Sequence, residues 1–185
     1  MSTRKFVAAT AVLVVAAGGA TVASAAGGAA PRKTTIKVSQ TVKMKPNRYI
    51  QDGLRWNKDE YTVRSGGTLH IVNTVATEGP HTFTVVKKKD LPRTAAQAFN
   101  CKVCNQLAKA HGAEPESNAP PKFQFLENGV GSATPPNVDR PGDSGVTGAG
   151  KKGEFIDLTV TAKKGKDLYF MCLIHPWMQA KVRVR

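Results

Sequence analysis

Near the C-terminus, Cys172-Leu-Ile-His175-Pro-Trp-Met178 follows directly on an alternating segment, Leu168-Tyr-Phe-Met-Cys172. This C-x2-H-x2-M spacing constrains the fold more than any other feature of the chain. Three side chains on so short a loop converge on one ion when the loop joins two adjacent strands, and a fourth must then arrive from a strand across the end of a barrel or sandwich. A second histidine, His81, opens another alternating run, His81-Thr-Phe-Thr-Val-Val86, 91 positions before Cys172. One thiolate, two imidazoles and a thioether form the ligand set of a mononuclear blue-copper site, a His2Cys plane with a weak axial Met. Soft sulfur ligands hold Cu(I) and imidazole suits Cu(II), so one rigid site accepts both oxidation states.

The remaining periodicity agrees with strands. Ile36 and Val38, Leu69 and Ile71, Ile156, Leu158 and Val160, and Leu168, Phe170 and Cys172 each form a period-two stripe. His81, Phe83 and Val85 share a face, which puts His81 at the end of a core-facing stripe. The last segment sets Ala180, Val182 and Val184 inward and Lys181, Arg183 and Arg185 outward. Short strands with turn signals such as Ser65-Gly-Gly67 and Lys163-Lys-Gly165 predict an all-β Greek-key sandwich. Trp56 and Tyr61 are expected as core or sandwich-end aromatics, Trp177 as packing beside the loop, and His70 as structural or surface.

The stretch Tyr169-Phe-Met-Cys-Leu-Ile-His-Pro-Trp-Met178 resembles the copper loop of the plastocyanin/amicyanin branch of the cupredoxins. Its two-residue gap between His and Met is similar to the short amicyanin-type loop. Val63-Arg-Ser-Gly-Gly-Thr-Leu-His-Ile-Val-Asn73, followed by Gly79-Pro-His-Thr-Phe-Thr-Val85, resembles the upstream half of the family, which ends at the first histidine ligand. The resemblance covers roughly residues 55–87 and 154–185. Where the family often has Gly after the axial Met region, this chain has Gln179-Ala180, which bears on loop shape. The resemblance implies one type 1 copper ion on His81, Cys172, His175 and Met178, transfer of single electrons, and His175 as the surface port among Ile174, Pro176 and Trp177.

At 185 residues the chain has room for one domain. Met1-Ser-Thr-Arg-Lys5, an apolar run from Phe6, and Ala23-Ser-Ala25 read as a signal peptide over residues 1–25. Retention as an uncleaved anchor is the rival. Residues 26–33 then read as a flexible linker and 34–185 as the cupredoxin domain, exported to the periplasm or the extracellular surface. The net charge is +14, of which Arg4 and Lys5 supply two. Such a basic exported protein points to acidic redox partner proteins, or to an anionic membrane or wall surface. No nucleic-acid motif accompanies the charge.

The middle of the chain exceeds what a minimal cupredoxin needs. Residues 94–111 have helical composition with Gly112 as a stop, Lys122-Phe-Gln-Phe-Leu126 could form a short strand, and residues 129–153 hold ten Gly or Pro. The fold expected is therefore a cupredoxin β-sandwich with a long, partly helical and Gly/Pro-rich insertion, about residues 90–153, before the last two strands. Within it, Cys101-Lys-Val-Cys104 reads as a disulfide in an exported chain. The alternatives are a second metal site with His111, or reduced thiols. Asn105 after the second Cys removes haem attachment.

No enzymatic activity is expected. Copper reductases and oxidases of this superfamily lead electrons through histidines flanking the cysteine, and here the flanks are Met171 and Leu173. Copper delivery or storage is the alternative function, weakened by a scarcity of Met outside the loop.

Overall fold

The computed structural model describes residues 29–75, 79–114, 120–148 and 151–185. The expected signal peptide and residues 26–28 of the expected linker lie outside the described residues. In chain order the strands are β1 (Lys33–Ser39), β2 (Val42–Lys45), β3 (Tyr49–Asp52), β4 (Arg55–Trp56), β5 (Glu60–Val63), β6 (Gly67–Val72) and β7 (Thr82–Val86). Helices α1 (Ala95–Phe99) and α2 (Lys102–Ala110) follow. The chain returns through β8 (Phe125–Glu127), β9 (Val130–Ser132), β10 (Asn137–Val138), β11 (Ser144–Val146), β12 (Phe155–Val160), β13 (Asp167–Met171) and β14 (Gln179–Val184).

Two sheets form an all-β sandwich. One has the order β10-β12-β6-β1-β4, the other β5-β14-β13-β7-β11-β8-β9, and β2-β3 is a separate hairpin. Register follows from the stripes. Antiparallel pairing of β12 with β6 sets Ile156 against Ile71 and Leu158 against Leu69, so the inward residues of both strands stay on one face. In the other sheet Phe170 lies opposite Val85 on one side and Ala180 on the other. Phe83 stacks on Phe170 with centroids 4.0 Å apart, and Trp56 meets Phe83 edge-on at 5.2 Å. This aromatic stack fills the core just beneath His81.

The alternation in β7 predicts one buried face, but all five of its residues are buried. The insertion is the reason. Val86, Met171 and Leu173, on the outer side of the second sheet, pack with Cys101, Cys104, Leu107 and Leu126 into a second apolar cluster. A sheet face that would otherwise meet water is thereby covered.

The insertion also differs from its expected layout. Residues 94–111 form two helices rather than one: Asn100 closes α1, and Cys101 caps α2 by accepting from the Cys104 main-chain N–H at 3.2 Å. Gly112 ends α2 with φ of +71°, a left-handed conformation that glycine adopts without strain. The Gly/Pro-rich stretch is more than loop, because β11 pairs with both β7 and β8. A Cβ at Gly145 would lie 2.6 Å from Ile156 Cδ1, so a larger residue there would require that side chain to shift. Three strands follow the insertion, β12 included, where two were expected.

Candidate metal centre

His81 immediately precedes β7, and Cys172 immediately follows β13, its antiparallel neighbour. The pairing therefore brings the two residues to the same end of the sandwich. The Thr147 hydroxyl grips the His81 main chain, accepting from its N–H at 3.0 Å and donating to its carbonyl at 3.2 Å. On the other side the loop closes on itself. The Cys172 N–H donates to the Met178 carbonyl at 3.0 Å, and the Met178 N–H donates to the His175 carbonyl at 2.8 Å. Trp56 Nε1 pins the same Met178 carbonyl at 3.2 Å.

One donor atom from each of His81, Cys172 and His175 falls within 4.8 Å of the others. Cys172 Sγ and His175 Nδ1 are 3.7 Å apart. Bonds of about 2.0–2.3 Å, usual for imidazole nitrogen and thiolate on a first-row ion, place two donors about 3.7 Å apart at a trigonal angle. The His81 and His175 rings lie 5.1 Å apart, centroid to centroid. Met178 is fully buried in the same apolar cluster as Cys172.

The chemistry of these groups fits a metal. His81 is completely buried, yet neither ring nitrogen has a hydrogen-bond partner. An unpaired buried polar group costs about 1–3 kcal/mol, which coordination would offset. Burial, with the neighbouring His175 ring assisting, pushes His81 down to about 4, so it is neutral and able to ligate at ordinary pH. Burial pushes the Cys172 thiol up, against hydrogen bonds from Thr82 and the main chain of His175 and Ile174. Only a cation in the cluster makes a thiolate there favourable.

Thr82 is a functional residue that periodicity missed. Its N–H lies 3.4 Å from Cys172 Sγ, and its hydroxyl oxygen accepts from the Leu173 N–H at 2.7 Å. Its place directly after His81 was the only available signal. Trp177 stands edge-on to His175 at 5.4 Å and is partly exposed. Elsewhere, Cys101 and Cys104 are disulfide-bonded, so the second metal site considered for them with His111 is not formed. His70 lies on the outer face of β6, 2.6 Å from Asp157.

A two-sheet sandwich with a buried His–Cys–His cluster at one end is a cupredoxin architecture, and the cluster fits a cupredoxin site for one type 1 copper ion. Among solved structures, a reduced Cu(I) form of amicyanin is 13% identical, with a TM-score of 0.40 over 84% of this chain and 85% of that one. Auracyanin A, a "blue" copper protein from Chloroflexus aurantiacus, is 19% identical, with a TM-score of 0.40 over 83% of this chain and 99% of that one. A purple cupredoxin from Nitrosopumilus maritimus is 12% identical, with a TM-score of 0.38 over 82% and 98%. Likenesses this loose add no weight to the reading, which rests on the side chains themselves. Neither a family model nor a curated protein matches the sequence.

Proposed function

We propose that this chain is an exported carrier of single electrons, with copper held by His81, Cys172, His175 and Met178. The observation that carries the reading is the buried cluster of three donors in which His81 has no other partner. Bound copper would supply a one-electron couple. The protein's part is to hold the donors still: Thr147 fixes the His81 main chain, and the two main-chain bonds across the loop fix Cys172 and Met178. Little then has to move when the charge changes, which keeps the barrier to transfer low. His175, with Trp177 against it, offers the route to the surface.

Several observations favour a carrier over the alternatives. Met171 and Leu173, on either side of Cys172, are buried in the apolar cluster beneath the insertion, so no histidine leads from the sulfur to a second centre. Among the described residues Met171 and Met178 are buried and Met44 alone is exposed, which leaves no surface cluster of thioethers there for copper delivery. The Cys101–Cys104 disulfide suits an oxidising compartment. No helix among the described residues is long and apolar enough to cross a membrane.

The positive charge favours acidic partners or an anionic membrane or wall surface. The outward side chains of β14 are a weak place for docking, because Lys181 pairs with Glu60 at 2.7 Å and Arg183 with Asp167 at 3.2 Å. Basic charge in excess lies on the insertion, where Lys89, Arg93 and Lys102 line one open cavity with Asp90. The neighbouring groove runs from Arg93 past Phe99 to Trp177. An acidic protein seated there would touch the ring that abuts His175. The defining experiment is the absorption spectrum of copper-loaded protein. An intense visible thiolate-to-copper band, lost in Cys172→Ala, is expected; a colourless wild type with stoichiometric Cu(II) would overturn the assignment.

A further inference from the structure

The insertion reaches the metal centre through a row of buried polar side chains. His111, capping the C-terminus of α2, is almost fully buried. Its Nδ1 lies 2.8 Å from the Phe123 carbonyl and its Nε2 2.9 Å from Ser144 Oγ. Ser144 Oγ is 2.6 Å from Thr84 Oγ1, and the Thr84 hydroxyl donates to Thr82 Oγ1 at 3.1 Å. Thr82 ends the row: its Oγ1 accepts from the Leu173 N–H, and its own N–H lies 3.4 Å from the Cys172 sulfur. Thr82, Thr84 and Ser144 are all buried.

Counting protons shows that the row behaves as a unit. A carbonyl oxygen only accepts, so Nδ1 carries the hydrogen that meets Phe123. From Nε2 to Thr82 Oγ1 there are three contacts, shared by the three hydroxyl protons of Ser144, Thr84 and Thr82, so the Thr82 proton is free for the neighbouring sulfur only when the row donates towards Thr82. When Thr82 donates to Cys172, Thr84 to Thr82 and Ser144 to Thr84, no proton is left for the His111 contact unless Nε2 is itself an N–H. When Nε2 is bare, it draws the Ser144 proton, and one contact nearer the sulfur goes without. A missing bond is costly in a buried row, so the state of Nε2 is felt at the far end.

We propose that His111 is a positioning residue for the Cys172 thiolate: its Nε2, acting through Ser144, Thr84 and Thr82, sets which hydrogen bonds reach the sulfur. The proposal rests on the copper reading above for its functional meaning, since hydrogen bonds at a ligating sulfur tune the potential of its metal. The insertion thus adjusts the centre without touching it. Burial lowers the basicity of His111, and the Phe123 carbonyl opposes this. Around it, Lys87 beyond β7, Lys109 on α2, Lys122 before β8 and Glu127 in β8 are exposed. The Asp143 carboxylate beside Ser144 is occupied by the N–H groups of Asn128, Asp139 and Arg140.

The test begins on the full chain without metal. Nitrogen-15 NMR follows the His111 ring and the Leu173 amide through a pH titration. In wild type the Leu173 resonance is expected to move with the His111 midpoint. In Ser144→Ala, and independently in the isosteric Thr84→Val, the ring still titrates while Leu173 no longer follows it. In copper-loaded protein the reduction potential is expected to step at the same midpoint and to lose that step in both variants. Leu107→Ala, which loosens α2 without breaking the row, should keep the step. A wild-type Leu173 amide blind to His111, or a step that survives both variants, overturns the proposal. Failure of the copper reading would show separately, as a missing visible band with the NMR coupling intact.

Discussion

Thr82 and Cys172 lie 90 positions apart, yet the Thr82 N–H stands 3.4 Å from the Cys172 sulfur. The contact exists because β7 and β13 are antiparallel neighbours whose ends coincide. It ties the strand that follows His81 to Cys172 by a bond within the protein.

Acid should destabilise the copper-free protein. His81 is held at about 4 when folded, against a usual value near 6.5 in the unfolded chain. Between those values the unfolded chain binds more protons, so stability is complete above about pH 6.5 and falls as pH drops towards 4. The loss assigned to His81 is on the order of 3 kcal/mol, and His111, also lowered by burial, adds in the same direction. Denaturant unfolding between pH 7.5 and 4 should show the slope, and His81→Phe should flatten most of it. An unchanged slope in that variant would place the proton elsewhere.

Reduction or removal of the insertion's disulfide should cost about 2 kcal/mol, the chain-entropy value for a loop this short. Thiol titration of the unfolded, copper-free wild type should find one free thiol, since Cys172 alone is unpaired. Cys101→Ser with Cys104→Ser should keep the visible copper band, because neither residue belongs to the proposed ligand set. Loss of the band would show that the second apolar cluster needs the crosslink to support Cys172.

Gly145→Ala should destabilise by about 1–3 kcal/mol, the usual cost of overpacking. The added methyl would meet Ile156 and Phe125 at the crossing of the two sheets. Pairing the change with Ile156→Val should recover part of the loss in thermal melts, and no recovery would point to backbone strain instead.

Charge reversal should separate the two basic surfaces. Arg93→Glu with Lys102→Glu is expected to slow reaction with an acidic one-electron protein by about tenfold at low salt. The difference should shrink as salt shortens the screening length to about 8 Å and below. Lys181→Glu should act mainly on stability, because its partner is Glu60. Stopped-flow rates against ionic strength decide the matter: equal effects from both surfaces would remove the insertion as a docking site.

Much of the site was legible because its chemistry is concentrated in one loop. Cys172, His175 and Met178 lie within seven positions, and the alternation around them fixes the flanking strands. The core stripes of β6, β12 and β14 were legible for the same reason, since a period of two is a local property. What the insertion does was not. Burial of both faces of β7 depends on α2, which follows in the chain but packs back across the sheet. A threonine beside a ligand and a histidine capping a short helix carry no periodic signal. Their roles arise when β11 brings Ser144 between them. The pairing of Lys181 and Arg183 was hidden in the same way, because Glu60 and Asp167 arrive from neighbouring strands.

The double covering of β7 gives the centre one enclosed side and one side that meets water. His81 is anchored at the head of a strand enclosed by apolar clusters on both sides, so displacing it would disturb both at once. The other donors sit on a loop that faces water at Ile174 and Trp177 and is closed by a few main-chain bonds. If copper binds as proposed, an ion would therefore enter or leave on the side of half-exposed His175 rather than past the enclosed strand that carries His81.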